Sequence, residues 1–438
     1  MARGKKKESA LTPEEKLAQA LVPDWEQPYK VPENWAWSYI RFGYDVTSSK
    51  RVHKDDWLSE GVPFYRTREL VKLSELGYVD NELFISEEQY EEYKSAYGIP
   101  KINDLLISGV GTIGVPYIVD SEEKFYFKDG NIIWFKNKGL FLPKYIYYLY
   151  KSLFMDNQIH EMSSGTTVDT YTIINANNTM VPVPPITEQQ RIVDRIEYLF
   201  AKLDESKEKA QSVLDSYETR KAAILHKAFT GELTAKWRAE HGVGMENWTS
   251  QTIGDIIKVS SGKSLTAKNM ATDGKIPVYG GNGITGYHNE SNVESDTIVI
   301  GRVGYYCGSV HYIAKPAWVT DNALIVSYRQ EIDKQYLVHL LRHADLRQND
   351  SSTAQPVVSG SKIYPIGVYT APIEEQHETV CILDSLFAKE QQAKEAAEAV
   401  LEKIDLLKKS ILARAFCGEL GTNDPAEESA LELLKSIL

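Results

Sequence analysis

One long polar segment is written twice in this chain. Pro184–Asp204 reads PPITEQQRIVDRIEYLFAKLD, and Ala371–Gln391 reads APIEEQHETVCILDSLFAKEQ. Aligning Pro185–Leu233 on Pro372–Leu420 needs no gap and gives identical residues at 22 of 49 positions, 187 residues apart. An internal duplication of that extent constrains the fold before any local pattern is read. Each copy predicts one long helix. In the first, Thr187 and Gln190 have the spacing of a capping box with Pro185 just before it. The second opens on Glu374 and Glu375, acids suited to the positive end of a helix dipole. Both copies stop at a glycine, Gly231 in AFTGEL and Gly418 in AFCGEL, the residue that terminates helices in the left-handed conformation. At ~1.5 Å per residue each helix is a rod of roughly 65 Å.

The apolar residues of the rods are few and regularly spaced. In the second copy Leu383, Leu386, Ala393, Ala397, Val400, Ile404, Leu407 and Ile411 follow a three–four alternation broken at Glu390. The first places Ile192, Ile196, Leu199, Leu203, Ala210, Val213, Tyr217 and Ile224 in the same register. So narrow a stripe predicts a coiled-coil seam, and the nearest partner for each copy is the other.

Each rod follows a globular segment, and these segments correspond loosely. VPENWAW (Val31–Trp37) answers GMENWTS (Gly244–Ser250), and VTSSKR (Val46–Arg51) answers VSSGKS (Val259–Ser264). VPFYRTREL (Val62–Leu70) answers IPVYGGNGI (Ile276–Ile284), and LISGVGTIG (Leu106–Gly114) answers VIGRVGYYCG (Val299–Gly308). YIYYLYKSL (Tyr145–Leu153) answers YLVHLLRHA (Tyr336–Ala344), and SSGTTV (Ser163–Val168) answers SSTAQP (Ser351–Pro356). Most pieces are short β-type runs closed by glycine or asparagine, with a helix near Tyr145 or Tyr336. The fold class is therefore α+β: two similar globular domains separated by two long antiparallel coiled-coil helices, an internal pseudo-two-fold repeat. The expected boundaries are an arm with a short helix at 1–30, a first domain at 31–185, a central helix at 186–231, a second domain at 232–372, a C-terminal helix at 373–420 and a tail helix at 421–438.

Bulk properties limit the function classes. The 438 residues suffice for two or three cores. No secretory leader or membrane span is visible: Leu140–Leu153, the most apolar stretch, is interrupted by Pro143, Lys144 and Lys151. Cys307, Cys381 and Cys417 are scattered and form no C-x-x-C, which points to a reducing, cytoplasmic setting without disulfides or zinc. The net charge of −12 does not exclude a nucleic-acid partner, because Glu69–Glu92 alone carries eight acids against Lys72. That run is expected to be a solvated helix face.

The repeated segments and the globules before them resemble the conserved regions and target recognition domains of the DNA-specificity subunit of type I restriction-modification enzymes. The resemblance covers nearly the whole chain. It implies that each globule reads half of a split, asymmetric double-stranded DNA site and that the rods set the gap. It also implies that the rods carry two methyltransferase (modification) subunits, which restriction subunits can join, and that this subunit does no chemistry itself and needs no cofactor. A structural adaptor that clamps two proteins with the same dumbbell is the alternative.

Motifs read independently of that resemblance agree with a non-catalytic chain. An adenine methyltransferase needs [DN]-P-P-[YF], but Val183 and Ile186 flank Pro184–Pro185. Gly262–Lys263–Ser264 lacks the first glycine of a nucleotide-binding loop, where Ile257 stands, and HEMSS at His160 lacks a second zinc-binding histidine. G-x-G-x-x-G occurs at Gly109/Gly111/Gly114 and Gly281/Gly283/Gly286, but neither opens a helix, so both read as tight turns between strands.

Phosphate contacts call for Lys, Arg, Ser or Thr, and base edges for Arg, Asn or Gln. The candidates in the first globule are Lys50, Arg51, Lys54, Arg66, Arg68, Thr166 and Thr167. In the second they are Lys263, Lys268, Asn282, Asn289, Arg302, Tyr305 and Gln355. Arg302 falls in a turn between strands where the first globule has Ser108–Gly109. The basic Arg3–Lys7 reads as a disordered tail, with a non-specific DNA arm as the alternative. Two amphipathic pieces remain, LTPEEKLAQAL with a capping box from Thr12 to Glu15, and NDPAEESALELLKSIL with the same logic at Asp424 and Pro425. Leu431, Leu434, Ile437 and Leu438 need a covering surface, either within this chain, with its two ends meeting near the first globule, or equally on a methyltransferase partner.

Overall fold

A computed structural model describes residues 12–163, 169–271, 273–349 and 356–438. The chain forms two compact units, one of residues up to Glu208 together with Val400–Leu438, the other of Lys209–Ala399.

In the first unit an antiparallel sheet runs in the order Tyr44–Thr47, Ile132–Asn137, Leu105–Ser108, Pro116–Ile118. A smaller sheet has Val62–Tyr65 at its centre, antiparallel to Phe84–Ile85 and parallel to Tyr126–Phe127. Ala36–Tyr39 pairs with Met180–Val183. The second unit repeats this plan strand for strand. Its larger sheet runs Ile257–Ser261, Ala323–Tyr328, Thr297–Gly301, Val310–Ile313. Ile276–Gly280 lies between antiparallel Gly283–His288 and parallel Trp318–Val319, and Thr249–Thr252 pairs with Gly367–Thr370. The helices expected at Tyr145 and Tyr336 are Pro143–Tyr150 and Lys334–His343. The first glycine motif falls between strands, as expected; of the second, only Gly281 lies in the turn, and Gly283 and Gly286 belong to the strand Gly283–His288.

The long helices pack in opposite directions within each unit. In the first, Lys408 Nζ lies 2.6 Å from Asp204 Oδ1 and 5.2 Å from the Phe200 ring, while Arg191 further back meets Glu427. In the second, Tyr217 Oη donates to Gln391 (2.9 Å), and Arg220 Nε to Glu390 (2.8 Å). The second copy is one helix, Ile373–Phe416. The first, expected to be continuous, is two: Ile186–Asp215 and Tyr217–Phe229. At the break Ser216 Oγ donates back to the Ser212 carbonyl, a bond that competes with the helix ladder and bends it.

Three of the eight expected seam residues in the second copy are displaced. Leu383, Ala397 and Ile404 are buried and Leu386 and Ile411 half-buried, but Ala393, Val400 and Leu407 face solvent. The inward positions between the buried residues are Phe387, Glu390, Lys394, Leu401 and Lys408, one residue later or at the presumed break. Glu390 pairs with Arg220, Lys394 lies over the Tyr217 ring, and Lys408 pairs with Asp204, so long charged side chains occupy seam positions by burying their stems. The first copy's predicted seam residues are all buried or half-buried.

Two expected caps also move. Thr187 lies inside the first turn of its helix, and its hydroxyl donates to Glu427 rather than capping. The tail helix is Ala430–Ile437, capped by Ser429; Asp424 instead closes a turn onto Ala426 N. Thr12 and Glu15 form the expected capping box of Pro13–Ala20. That helix and the tail helix meet in the first unit, where Lys16 Nζ donates to the Leu438 carbonyl and Leu431, Leu434 and Ile437 join the core around Tyr44, Tyr145 and Phe416. No described helix is long and apolar enough to cross a membrane.

Candidate nucleic-acid interface

Corresponding edges of the two units gather the predicted residues. In the first, the strand Tyr44–Thr47 runs out into Ser48–Lys54. Ser49 Oγ donates to the Phe127 carbonyl (2.6 Å), the Lys50 amide to Tyr126 Oη (2.9 Å), and the Ser48 hydroxyl to the Ile132 carbonyl (2.9 Å). The backbone is thus fixed while the side chains of Lys50, Arg51 and Lys54 remain outside. Arg51 and Lys54 are exposed, Lys50 Nζ lies 5.3 Å from the Tyr97 ring, and Arg51 Nε stands 3.9 Å from Asp129.

Arg66 and Arg68, expected as candidates for DNA contact, are both held by carboxylates of the chain. Glu69, in the acidic run read as a solvated face, is only 1 % exposed. It accepts from Arg66 Nη2 (2.7 Å), Arg66 Nε (3.0 Å) and Arg68 Nε (3.1 Å), and Arg68 Nη2 reaches Glu82 at 2.6 Å. Burial pushes the Glu69 carboxyl up, but the arginine hydrogen bonds outweigh it and hold the group below the usual carboxylate range. The two guanidiniums are therefore largely neutralised where they stand. They line a concavity of about 550 Å³ with Val110, Gly111, Thr112 and Asn131.

In the second unit four predicted residues come together. Lys263 N donates to the Val319 carbonyl (3.0 Å) and Arg302 N to the Asn322 carbonyl (2.9 Å), which ties both segments to the loop after Trp318–Val319. Asn282 is exposed in the turn Gly281–Asn282, and Ser309 Oγ donates to the Gly281 carbonyl (3.2 Å). Tyr305 extends from the loop after Arg302 with 80 % of its surface exposed. Arg302 is half-buried; its Nη1 lies 3.3 Å from Ser261 Oγ and 3.4 Å from the Asp321 carbonyl. Among the described residues no carboxylate lies in ion-pairing range of Lys263 or Arg302, in contrast to Arg66 and Arg68. Lys268 and Asn289 are exposed but lie by the far end of the hairpin, where Ala271 N donates to the Tyr287 carbonyl. Thr166, Thr167, Gln355 and Arg3–Lys7 lie outside the described residues.

Three residues of this edge were not singled out from the sequence. Tyr306 stands beside Tyr305, ring centroids 4.9 Å apart and nearly perpendicular. Arg347 Nη1 donates to the Tyr305 carbonyl (3.4 Å). His311 Nε2 lies 3.1 Å from Ser309 Oγ, and its ring abuts Gly283 so closely that a side chain there would have to displace it. Burial, then the charge of Arg342, lowers the His311 pKa. The doubled tyrosine in GRVGYYCG was the available signal for Tyr306; Arg347 and His311 carry none, since tertiary folding alone brings them here.

The two edges share a skeleton. Val110 bridges to Thr170 in the first unit and Val303 to Val357 in the second. Gly111 and Gly304 follow with φ of +83° and +92°, and Gly114 and Gly308 close the loops at +78° and +86°. Between these glycines the fillings diverge: Thr112–Ile113 in one, Tyr305–Tyr306–Cys307 in the other. The described residues contain no cluster of three His, Cys, Asp or Glu able to hold a metal ion.

Comparison with known proteins places this duplicated architecture. The family model of the type I restriction modification DNA specificity domain matches residues 45–214 and again 245–403. A putative type I restriction enzyme specificity subunit of Haemophilus influenzae is 36 % identical over 176 residues, 40 % of this chain and 38 % of that protein. The EcoprrI specificity subunit of Escherichia coli is 31 % identical over 138 residues, 31 % of this chain and 34 % of that protein. The matched regions thus span little more than a third of either relative. The EcoDI specificity subunit of Escherichia coli aligns more fully, at 21 % identity over 83 % of this chain and 89 % of that protein. The crystal structure of the HsdS subunit from Thermoanaerobacter tengcongensis shares the fold with a TM-score of 0.66 at 18 % identity, covering 90 % of this chain and all of that one. With the family model matched twice over most of its length, the chain belongs to the type I restriction-modification DNA specificity family.

Proposed function

We propose that this chain is the non-catalytic DNA-recognition subunit of a type I restriction-modification complex. Each unit reads one half of a bipartite, asymmetric duplex site, and the long helices set the gap and carry two methyltransferase subunits, which restriction subunits join. The chemistry belongs to those partners. The observation that carries this reading is the repeated loop skeleton with divergent tips. The backbone frame, its bridges and its left-handed glycines are kept in both units, while the side chains offered at the edge are replaced. Such a pattern suits two readers of different sequences better than an adaptor gripping two like proteins.

The experiment is a titration of labelled duplex with the purified chain and its methyltransferase at several salt concentrations. Affinity for a duplex carrying the target should fall steeply with salt, with a slope of roughly −0.9 per phosphate neutralised. Methyl transfer should require the partner. Salt-independent binding, or methyl transfer by the rigorously purified chain alone, would contradict the proposal.

A further inference from the structure

We infer that Tyr305 is a wedge that enters a base step of the half-site read by the second unit, and that Tyr306 is the positioning residue that braces it. The inference rests on the DNA-reading role proposed above.

A wedge needs an apolar plane held outside the protein on a backbone that does not yield. Tyr305 is among the most exposed large side chains described, and Tyr306 is 54 % exposed beside it. Two adjoining solvent-facing rings make a contiguous apolar patch, the kind of surface that marks an interaction site. The loop beneath them is fixed on several sides. Gly304 N donates to the Pro356 carbonyl (3.1 Å), Cys307 N to Gly304 (3.0 Å) and Gly308 N to Gly301 (2.8 Å). Arg347 holds the Tyr305 carbonyl, and Cys307 is buried beneath the tip. The nearly perpendicular contact of the two rings sets the plane of Tyr305, which keeps most of its surface exposed.

The surroundings select nucleic acid over an apolar protein surface. Lys263 and Arg302 reach the same edge without a carboxylate partner among the described residues, and exposed Asn282 lies in the adjoining turn. Cations beside a projecting ring are the arrangement by which groove-binding proteins anchor phosphates while an inserted side chain unstacks a step. The first unit lacks the device: the position of Tyr305 is held by Thr112, which has no ring to insert. Unstacking is therefore confined to one half-site, and flexible pyrimidine–purine steps are the ones it favours.

The test uses the full chain with its methyltransferase and duplexes of the methylated target carrying 2-aminopurine at one position at a time, with binding followed separately by anisotropy. Binding should raise 2-aminopurine fluorescence several-fold at one step of one half-site. Tyr305→Ala should abolish that rise and weaken binding roughly 5- to 150-fold, the range of losing one base–aromatic stack. Tyr305→Phe should keep both, because the plane rather than the hydroxyl acts. Tyr306→Ala should reduce the rise while leaving the melting temperature unchanged. Binding without a fluorescence rise, a rise that survives Tyr305→Ala, or a Tyr305→Phe variant as impaired as alanine would overturn the wedge and leave the DNA-reading role intact. Failure of every form to bind duplex would overturn that role itself.

Discussion

Glu375 and Arg238 meet inside the second unit, Arg238 Nη1 2.6 Å from Glu375 Oε1, with the carboxylate 1 % exposed. Thr234 Oγ1 (2.6 Å) and Trp248 Nε1 (2.9 Å) donate to the same carboxylate. The segment following one long helix is thereby fastened to the first turn of the other. The first unit has a counterpart: Glu188, which aligns with Glu375, accepts from Thr422 Oγ1 (2.6 Å) and pairs with Arg191 (2.7 Å). Arg238→Ala leaves a buried carboxylate without its counter-charge and should destabilise the second unit by about 3–5 kcal/mol. Chemical denaturation measures this, and a loss below about 1 kcal/mol would show the pair to be dispensable.

The corrected seam separates two neighbouring positions on one helix. Ile404 is 3 % exposed and Leu407 47 % exposed. Ile404→Asp should bury an uncompensated charge at a cost of several kcal/mol and lower the yield of folded chain. Leu407→Asp should change stability by less than about 1 kcal/mol. Thermal melting of both variants tests the register; equal effects would restore the one expected from apolar spacing.

Acid should weaken the second unit through His339. Its ring is buried against Phe387, neither ring nitrogen has a hydrogen-bond partner among the described residues, and Asp384 stands 3.8 Å away. Burial, then the charge of Arg342, lowers its pKa to about 4. As pH falls the unfolded chain takes up this proton first, near pH ~6.5. The folded form therefore loses stability progressively from about pH 6.5 down to about 4, by roughly 3 kcal/mol in all, and is unaffected above that window. Denaturation at pH 7.5 and 5 for the native chain and His339→Leu checks the sign: the variant should show a smaller loss.

Arg302 offers a readout of single bases. Its anchoring by Ser261 and the Asp321 carbonyl orients the guanidinium without neutralising it. Arg302→Ala should relax one position of one half-site, at about 1–3 kcal/mol of lost discrimination. An even loss of affinity for all sequences, with the salt slope reduced by about one, would assign the residue to phosphate instead.

The duplication, the two α+β frames and the long helices were legible in the sequence because apolar period and turn residues act locally. The register of the second helix was not. Apolar spacing selects Val400 and Leu407, whereas the folded seam admits Lys394 and Lys408, whose stems pack while their charges find Tyr217 and Asp204. The neutralisation of Arg66 and Arg68 depends on Glu82, brought alongside only by folding, and on Glu69, whose burial a run of acids conceals. Tyr305 was visible as a candidate, but its exposure and its brace are properties of the loop.

The most direct test of two independent readers in one chain is a map of methylated bases in DNA from cells carrying this chain and its methyltransferase, compared with cells carrying Arg302→Ala. The expected motif is bipartite and asymmetric, its first half unchanged by the substitution and its second half degenerate at one position. A continuous motif, or degeneracy in both halves at once, would contradict it.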